Sequence, residues 1–359
     1  MEFNRALNRL KKDVWARLSA LFILVICLVA LFAYQLAPDQ TRFANQMHLS
    51  IHSQPPGFSC EILIIPSKSD KTLKKHFFTG TLNEQEEIPI DEIFWTEEGL
   101  SYKRFGNTTD YYEKVTLDQF PEGTTREIIE AKFLKKHFFP LGTDKYGRDL
   151  LSRLIVGSRI SISIGFVAVF ISLLLGVFLG ALAGFLEGIV DKTIMWLINV
   201  MWSIPTLLMV IAITLVLGKG FWQVFIAVGL TMWVEVARLV RGLVKSTKEE
   251  LFVQAGTVLG FSKTRILLNH ILPMTIAPLI VLSAANFASA ILLESGLSFL
   301  GIGAQPPIPS WGGMVKDHFR YLLLGKPYLA LLPGIAIMSL VLAFMTLGNS
   351  LRDALDVRN

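Results

Sequence analysis

Six apolar runs, at 18–36, 160–185, 194–217, 221–240, 276–293 and 329–347, constrain this chain more than any other feature of it. Each is roughly 20 residues long, which is what an α-helix needs to cross the hydrocarbon core of a bilayer. Five carry no charge, and the fourth carries only Glu235 and Arg238, close to one end. Lipid offers no partner to a free backbone N–H or C=O, so runs of this kind are helical. Composition agrees: 52% of the 359 residues are hydrophobic and the mean hydropathy is +0.51, too apolar for an ordinary soluble enzyme. The expected fold class is an all-α membrane protein with six transmembrane helices.

Charge sets the orientation. Arg5, Arg9, Lys11, Lys12 and Arg17 precede the first run, and basic residues cluster again at 238–248 and 263–265. The positive-inside rule puts these segments, and with them both termini, on the cytoplasmic side. The turn Gly218-Lys219-Gly220 then lies outside with a single lysine. A signal peptide competes for the first run. That run is long for one, and Leu36-Ala37-Pro38 is a poor cleavage site, so an uncleaved helix is expected. The chain divides into a basic start and first helix at 1–37, a polar insert at 38–139, and a five-helix core at 140–359 holding a cytoplasmic loop at 242–273. The net charge of +5 sits in short clusters beside apolar runs, which argues against nucleic-acid binding.

The insert is long enough to fold by itself, as an extracytoplasmic α+β unit. Residues 60–65 and 93–95 are strand-like, and Pro55-Pro56-Gly57 and Gly106-Asn107 read as turns. Residues 124–139 are expected to form an amphipathic helix with Ile128, Ile129, Phe133 and Leu134 on one face. The string Leu-Lys-Lys-His-Phe-Phe occurs at 73–78 and at 134–139, too few copies for a repeat architecture. His48 and His52 could hold a metal from one helix face. No third ligand is evident, and a solvated loop is the simpler reading. Cys27 falls in an apolar run and Cys60 in the insert, so a disulfide is not expected.

Within the core, Gly176, Gly180 and Gly184 repeat every four residues and offer a face for close helix contact. Ser203-Ile204-Pro205 interrupts the third run; a kink is expected there, either a plain packing bend or a hinge. Glu235 and Arg238 are three apart and are expected to pair. Arg148, Arg153 and Arg159 stand at the outer end of the second run against the positive-inside rule. An interfacial helix over 150–159 would hold them at headgroup depth.

The one long polar interruption of the C-terminal half is KEELFVQAGTVLGFSKTRILLNHILP, at 248–273. Its apolar residues recur at helical spacing and predict two short amphipathic helices. Gly260 supplies the turn between them, Ser262 caps the second, and Pro273 is expected to end it. Such a unit on the face of a membrane protein is suited to a groove on a partner.

This loop resembles the cytoplasmic EAA loop of ABC-importer permeases. Gln254-Ala255-Gly256 stands at the Glu-Ala-Ala triplet, Gly260 at the glycine and Leu272-Pro273 at the close. The uncharged Gln254 departs from the family's pattern. The segment Leu141-Gly142-Thr143-Asp144-Lys145-Tyr146-Gly147-Arg148-Asp149 with 150–159 resembles the stretch before the second helix of the C-type permease of dipeptide, oligopeptide and nickel importers. Residues 294–312, from Glu294-Ser295-Gly296 to Trp311-Gly312, resemble the same permeases and read as a broken loop at a pore mouth.

The resemblance implies a type I ABC-importer permease fold in the bacterial inner membrane. It implies a homologous second permease, two ATP-binding subunits and an extracytoplasmic solute-binding protein as partners, with lipid around the helices. It assigns contact with the ATPase to Glu250, Gln254, Ala255, Gly256, Gly260, Ser262, Arg265, Leu272 and Pro273, and suggests Pro205, Glu294 and Gly296 as gate or hinge positions. The chain has no phosphate-binding G-x-x-x-x-G-K-[ST] loop and no HExxH or paired-cysteine motif. It is therefore expected to be no enzyme, with no catalytic residues, metal or cofactor of its own, ATP and magnesium being used by the partners. The expected cargo is di- and oligopeptides. Nickel or another small solute is the alternative, and a self-standing channel or secondary transporter a more distant one.

Overall fold

The computed structural model describes residues 9–66, 78–81, 85–96, 99–109, 111–121, 123–218 and 220–355. Part of the basic start, Lys219, the end of the tail and most of the first Leu-Lys-Lys-His-Phe-Phe copy lie outside these. The main helices are α1 Val14–Leu31, α2 Leu150–Leu186, α3 Gly188–Ser203, α4 Thr206–Leu217, α5 Phe221–Lys248, α6 Leu251–Val258, α7 Lys263–Leu300, α8 Trp311–His318 and α9 Tyr328–Leu355. Among the described residues, α1, α2, α5, α7 and α9 are each long and apolar enough to cross a membrane. Taken together, α3 and α4 are long and apolar enough for a sixth crossing, bent by 97° at Ile204 and Pro205. Proline cannot continue a helix it follows, so the expected kink is a sharp break.

The α2–α5 contact is built on the glycine series. A Cβ on Gly176 would sit 2.4 Å from that of Val236, and one on Gly180 would sit 2.5 Å from the Ala237 carbonyl oxygen. The two backbones touch because no side chain stands between them. At 37 residues, α2 is about 55 Å long, well beyond the hydrocarbon core. The separate interfacial helix expected over 150–159 is therefore the outer end of α2 itself.

Two further expectations are corrected. Pro273 does not end the second loop helix. It sits in the first turn of a helical segment that runs on to Leu300, with one wide turn at Leu267–Ile271. The wide turn interrupts the regular ladder just before Pro273, and a proline in the first turn of the segment that restarts at Leu272 has no regular N–H bond to lose. The broken outer loop also begins later than Glu294. Helix α7 ends at Gly301 (φ +81°), where Ile302 N–H returns to the Leu297 carbonyl at 2.9 Å.

The insert is a five-stranded antiparallel sheet: β1 Phe58–Ile65, β2 Glu86–Thr96, β3 Gly99–Arg104, β4 Glu113–Thr116 and β5 Leu134–Phe139, in the order β4-β3-β2-β1-β5. Alternation along β1 sends Cys60 and Ile62 to one face and Leu63 to the other. One face packs Leu63, Ile88, Ile90, Leu100, Tyr102, Val115 and Phe120 against Ile129; the other packs Cys60, Ile62 and Phe139 against Ile51. The helix expected over 124–139 exists only as Arg126–Ile128 and a wide turn to Phe133. Residues 134–139 pair with β1 instead, from Leu63↔Leu134 to Phe58↔Phe139. The exposed edge of β1 offers that segment ladder hydrogen bonds that a lone helix does not.

Candidate functional site

The inner loop stands on a buried footing. Val253, Ile266 and Ile271 pack with Val236, Val240 and Val244 of α5. Helix α6 ends at the turn, where Gly260 has φ +79° and its N–H meets the Thr257 carbonyl at 3.0 Å. That left-handed conformation strains any residue with a Cβ. Ser262 caps α7 as expected, its hydroxyl accepting from Arg265 N–H at 3.3 Å. The Arg265 guanidinium lies 4.1 Å from the Phe261 ring centre, and Phe261 stacks on His270 at 5.8 Å. Gly256 is buried under Phe261, whose Cδ2 would lie 3.3 Å from a Cβ there.

On this footing stands an outward apolar face. Leu251 is 81% exposed, Val258 88% and Leu259 72%. Glu250, Gln254, Ala255, Ser262 and Arg265 are exposed around them. Gln254 turns back on the loop, donating from Nε2 to the Glu249 carbonyl at 3.0 Å. Leu272 is half-buried and Pro273 exposed, both already inside the start of the α7 crossing.

Behind the loop, ion pairs join α5 to the start of α3. Asp191 accepts from Arg241 through both its oxygens and from Lys245 Nζ at 2.7 Å. Lys248 Nζ reaches Glu187 at 2.9 Å, and this bond holds the Glu187 carboxyl below its usual pKa. The sequence pattern gave no sign of these pairs, whose members are 50 or more positions apart. The expected Glu235–Arg238 pair is absent among the described residues: Arg238 instead donates to Asn199 at 3.3 Å and lies 3.6 Å over the Trp202 ring. An indole face and an amide on α3 are closer to the guanidinium than the carboxylate on its own helix.

At the outer end, Glu294 is 1% exposed, and Ser298, one turn on, donates to it at 2.7 Å. Ser310 bonds Ser298 at 3.2 Å and also caps α8. Neither Glu294 nor Gly296 stands at a break in α7; the break in the crossings is at Pro205.

Two of the three arginines that strained the positive-inside rule are buried in the protein rather than held in headgroups. Arg148 pairs with Asp144 at 2.6 Å, Arg153 lies 3.7 Å from the same carboxylate, and all three are buried. Arg159 lies 4.7 Å from the Tyr34 ring and donates to the Phe78 carbonyl at 2.9 Å. The cluster ties the insert down: Arg148 also donates to Asn45 at 2.8 Å, Thr143 N–H and hydroxyl bind Gln54 and Ile51, and Tyr328 donates to the Gln54 carbonyl at 2.7 Å. His48 is buried beside Glu87 at 3.5 Å rather than in a solvated loop, and His52 is exposed. Among the described residues no three side chains form a metal-ligand group.

Five apolar crossings with a bent sixth, an outer folded insert and an inner loop with a solvent-facing apolar face define a multi-pass membrane protein. Residues 176–359 match the family described as binding-protein-dependent transport system inner membrane component. Residues 3–56 match the N-terminal transmembrane domain of oligopeptide transport permease C. The dipeptide transport system permease protein DppC of Alkalihalophilus pseudofirmus is 40% identical over 221 residues, 62% of this chain and 72% of that protein. The glutathione transport system permease protein GsiD of Salmonella typhimurium is 44% identical over the same shares. A solved structure of the MetNI methionine ABC transporter, in an inward-facing form, is similar over 57% of this chain and 97% of its own, at 16% identity and a TM-score of 0.45. The chain belongs to the binding-protein-dependent inner-membrane components, as an ABC-importer permease of the peptide and nickel branch.

Proposed function

We propose that this permease forms half of the pathway for uptake of di- and oligopeptides and couples to two ATPase subunits through the loop at 248–273. The observation that carries the coupling is the exposure of Leu251, Val258 and Leu259 on a loop anchored from behind by buried Val253, Ile266 and Ile271. Apolar side chains that face water from a firm support are what a partner's groove buries. The peptide class is supported by the relatives, whose names specify a dipeptide and glutathione.

In this reading a second, homologous permease completes the pathway and an extracytoplasmic binding protein delivers the solute. The chain itself binds no cofactor; ATP and magnesium act in the ATPase subunits. Closure of the ATPases draws the two loops together, and the shift passes through Val253 and Ile266 into α5 and α7. Coupling requires that docking energy differ between the inward and outward states. The break at Pro205 serves as the hinge on which α3 and α4 adjust, while Gly296 and the buried Glu294, bonded by Ser298, stand behind the outer gate.

The test is transport by reconstituted complexes carrying Val258→Glu or Gly260→Val. Both complexes are expected to assemble, with ATPase activity no longer raised by peptide-loaded binding protein and with uptake lost. Normal peptide-stimulated uptake in both variants would overturn the assignment of the loop. Uptake of nickel in place of peptide would move the cargo to the alternative class without touching the loop.

A further inference from the structure

Helix α5 carries four cations along one face: Arg238, Arg241, Lys245 and Lys248, spaced three or four residues apart. All four find a partner on α3 or in the turn before it. Lys248 Nζ lies 2.9 Å from Glu187, Lys245 Nζ lies 2.7 Å from Asp191, and Arg241 holds both oxygens of the same carboxylate, with Nη2 at 2.8 Å. Arg238 reaches Asn199 and Trp202. The two helices therefore run antiparallel and meet rung by rung, with Asp191, 8% exposed, bridging two successive turns of α5. Ile198 of α3 packs in one cluster with Trp233, Val234 and Ala237 of α5.

Partly exposed ion pairs add little stability each, because water screens them and ordering long side chains costs entropy. What a ladder of them fixes is register, since a slide or rotation of α3 breaks several charge-assisted bonds at once. The face it occupies on α5 adjoins the one that supports the inner loop. Val236, Val240 and Val244 alternate with the cations along the helix and pack with Val253, Ile266 and Ile271. One helix is thus bound on one side to the loop's footing and on another to the start of α3. The far end of α3 is Ser203, followed at once by the 97° break at Ile204 and Pro205.

We propose that Asp191 is a positioning residue for transport: it ties α3 to α5 so that the two move as one body when the inner loop is displaced, and the displacement reaches the Pro205 break. Packed helices and ion-pair networks carry a shift only while they hold their arrangement. Without the ladder, a shift of α5 is absorbed as slip between the two helices and never reaches α4. The inference rests on the reading of 248–273 as the docking loop and adds the element that follows the loop.

The experiment uses complexes reconstituted in proteoliposomes with the ATPase subunits, the second permease and the binding protein, and reads glycylglycine taken up per ATP hydrolysed. Asp191→Asn keeps the shape of the side chain and removes its charge. The complex is expected to assemble and to hydrolyse ATP, with uptake per ATP lower by roughly 10-fold, within the range of a coupling free energy between sites. Glu187→Lys and Lys248→Glu are each expected to lower the ratio, and the two together to restore it, which damage to folding would not do. Should Asp191→Asn lower Tm, a covalent bridge decides. Asp191→Cys and Lys245→Cys are combined in a chain carrying Cys27→Ala and Cys60→Ala, and a short bis-thiosulfonate joins the two thiols. Bridging is expected to raise the ratio toward wild type, and reductive cleavage to lower it again. An unchanged ratio in well-folded Asp191→Asn, no rescue by the charge exchange, or transport abolished by the bridge overturns the proposal and leaves the docking loop standing. A wild-type complex that recovers no ATPase subunits, or shows no peptide-driven hydrolysis and uptake, overturns the proposed function and this inference with it.

Discussion

The inner loop and the outer strap are held in opposite ways. The loop at 248–273 is fixed from behind by Val253, Ile266 and Ile271, and nearly all its polar bonds are local, such as Ser262 to Arg265 and Gln254 to Glu249. The strap at 38–54 is fixed by polar bonds across long stretches of chain: Asp39 to Ser152, Asn45 to Arg148, Ser53 to Lys326 and Gln54 to Tyr328. Apolar support leaves a surface free to meet something else. A buried polar network fixes one geometry and tolerates little change, because each unpaired member is costly. The inner side is built to be presented, and the outer side to stay where it is.

The sharpest way to break this contrast is Asp144→Ala. It leaves Arg148 and Arg153 buried beside each other without their carboxylate and is expected to cost about 3–5 kcal/mol, measured as thermal unfolding in detergent. A change within experimental scatter would mean that the outer network is not what holds the insert. On the inner side, Ile266→Ala removes part of the loop's footing and should cost about 2–4 kcal/mol. Hydrogen exchange should show faster opening of 251–271 and unchanged protection of the insert; equal loss in both regions would mean that they are not separately supported. Ser262→Ala removes the cap of α7 and should cost about 1 kcal/mol, with exchange accelerated only around 263–266.

The smallest effect sharpens the comparison within the insert itself. Glu113 on β4 is bound by Arg104 at 2.7 Å and by Tyr102, and the Arg104 bond holds its carboxyl below the usual pKa. A folded pKa that is depressed contributes stability above the ordinary carboxylate value, and that contribution fades as pH falls through the lowered one. The pair is partly exposed, so Glu113→Gln should cost well under about 1 kcal/mol at neutral pH and almost nothing in acid. A cost that persisted after acidification would trace it to packing rather than charge.

Much of this molecule was legible as a string of residues. The apolar runs, the basic clusters, the Gly260 turn, the Ser262 cap and the Pro205 break all depend on neighbours a few positions away. Helical period, bilayer thickness and backbone sterics act at that range. The glycine face at 176, 180 and 184 was readable for the same reason, though its partner on α5 was not. The resemblance of 248–273, 141–159 and 294–312 placed the family, and the matches to known permeases agree.

Other features took shape only when distant segments met. Residues 134–139 have a helix-compatible pattern, and they became a strand because the edge of β1 was free to pair. Arg148 and Arg153 looked like headgroup anchors until the segment at Phe43, Ala44 and Asn45 closed over them. Arg238 left the carboxylate on its own helix for a tryptophan on α3, and Asp191 found two cations across the inner mouth. Local propensity and lipid thickness act along the chain and can be read from it. Burial, strand pairing and charge compensation depend on which surfaces close against each other, and tertiary structure alone decides that.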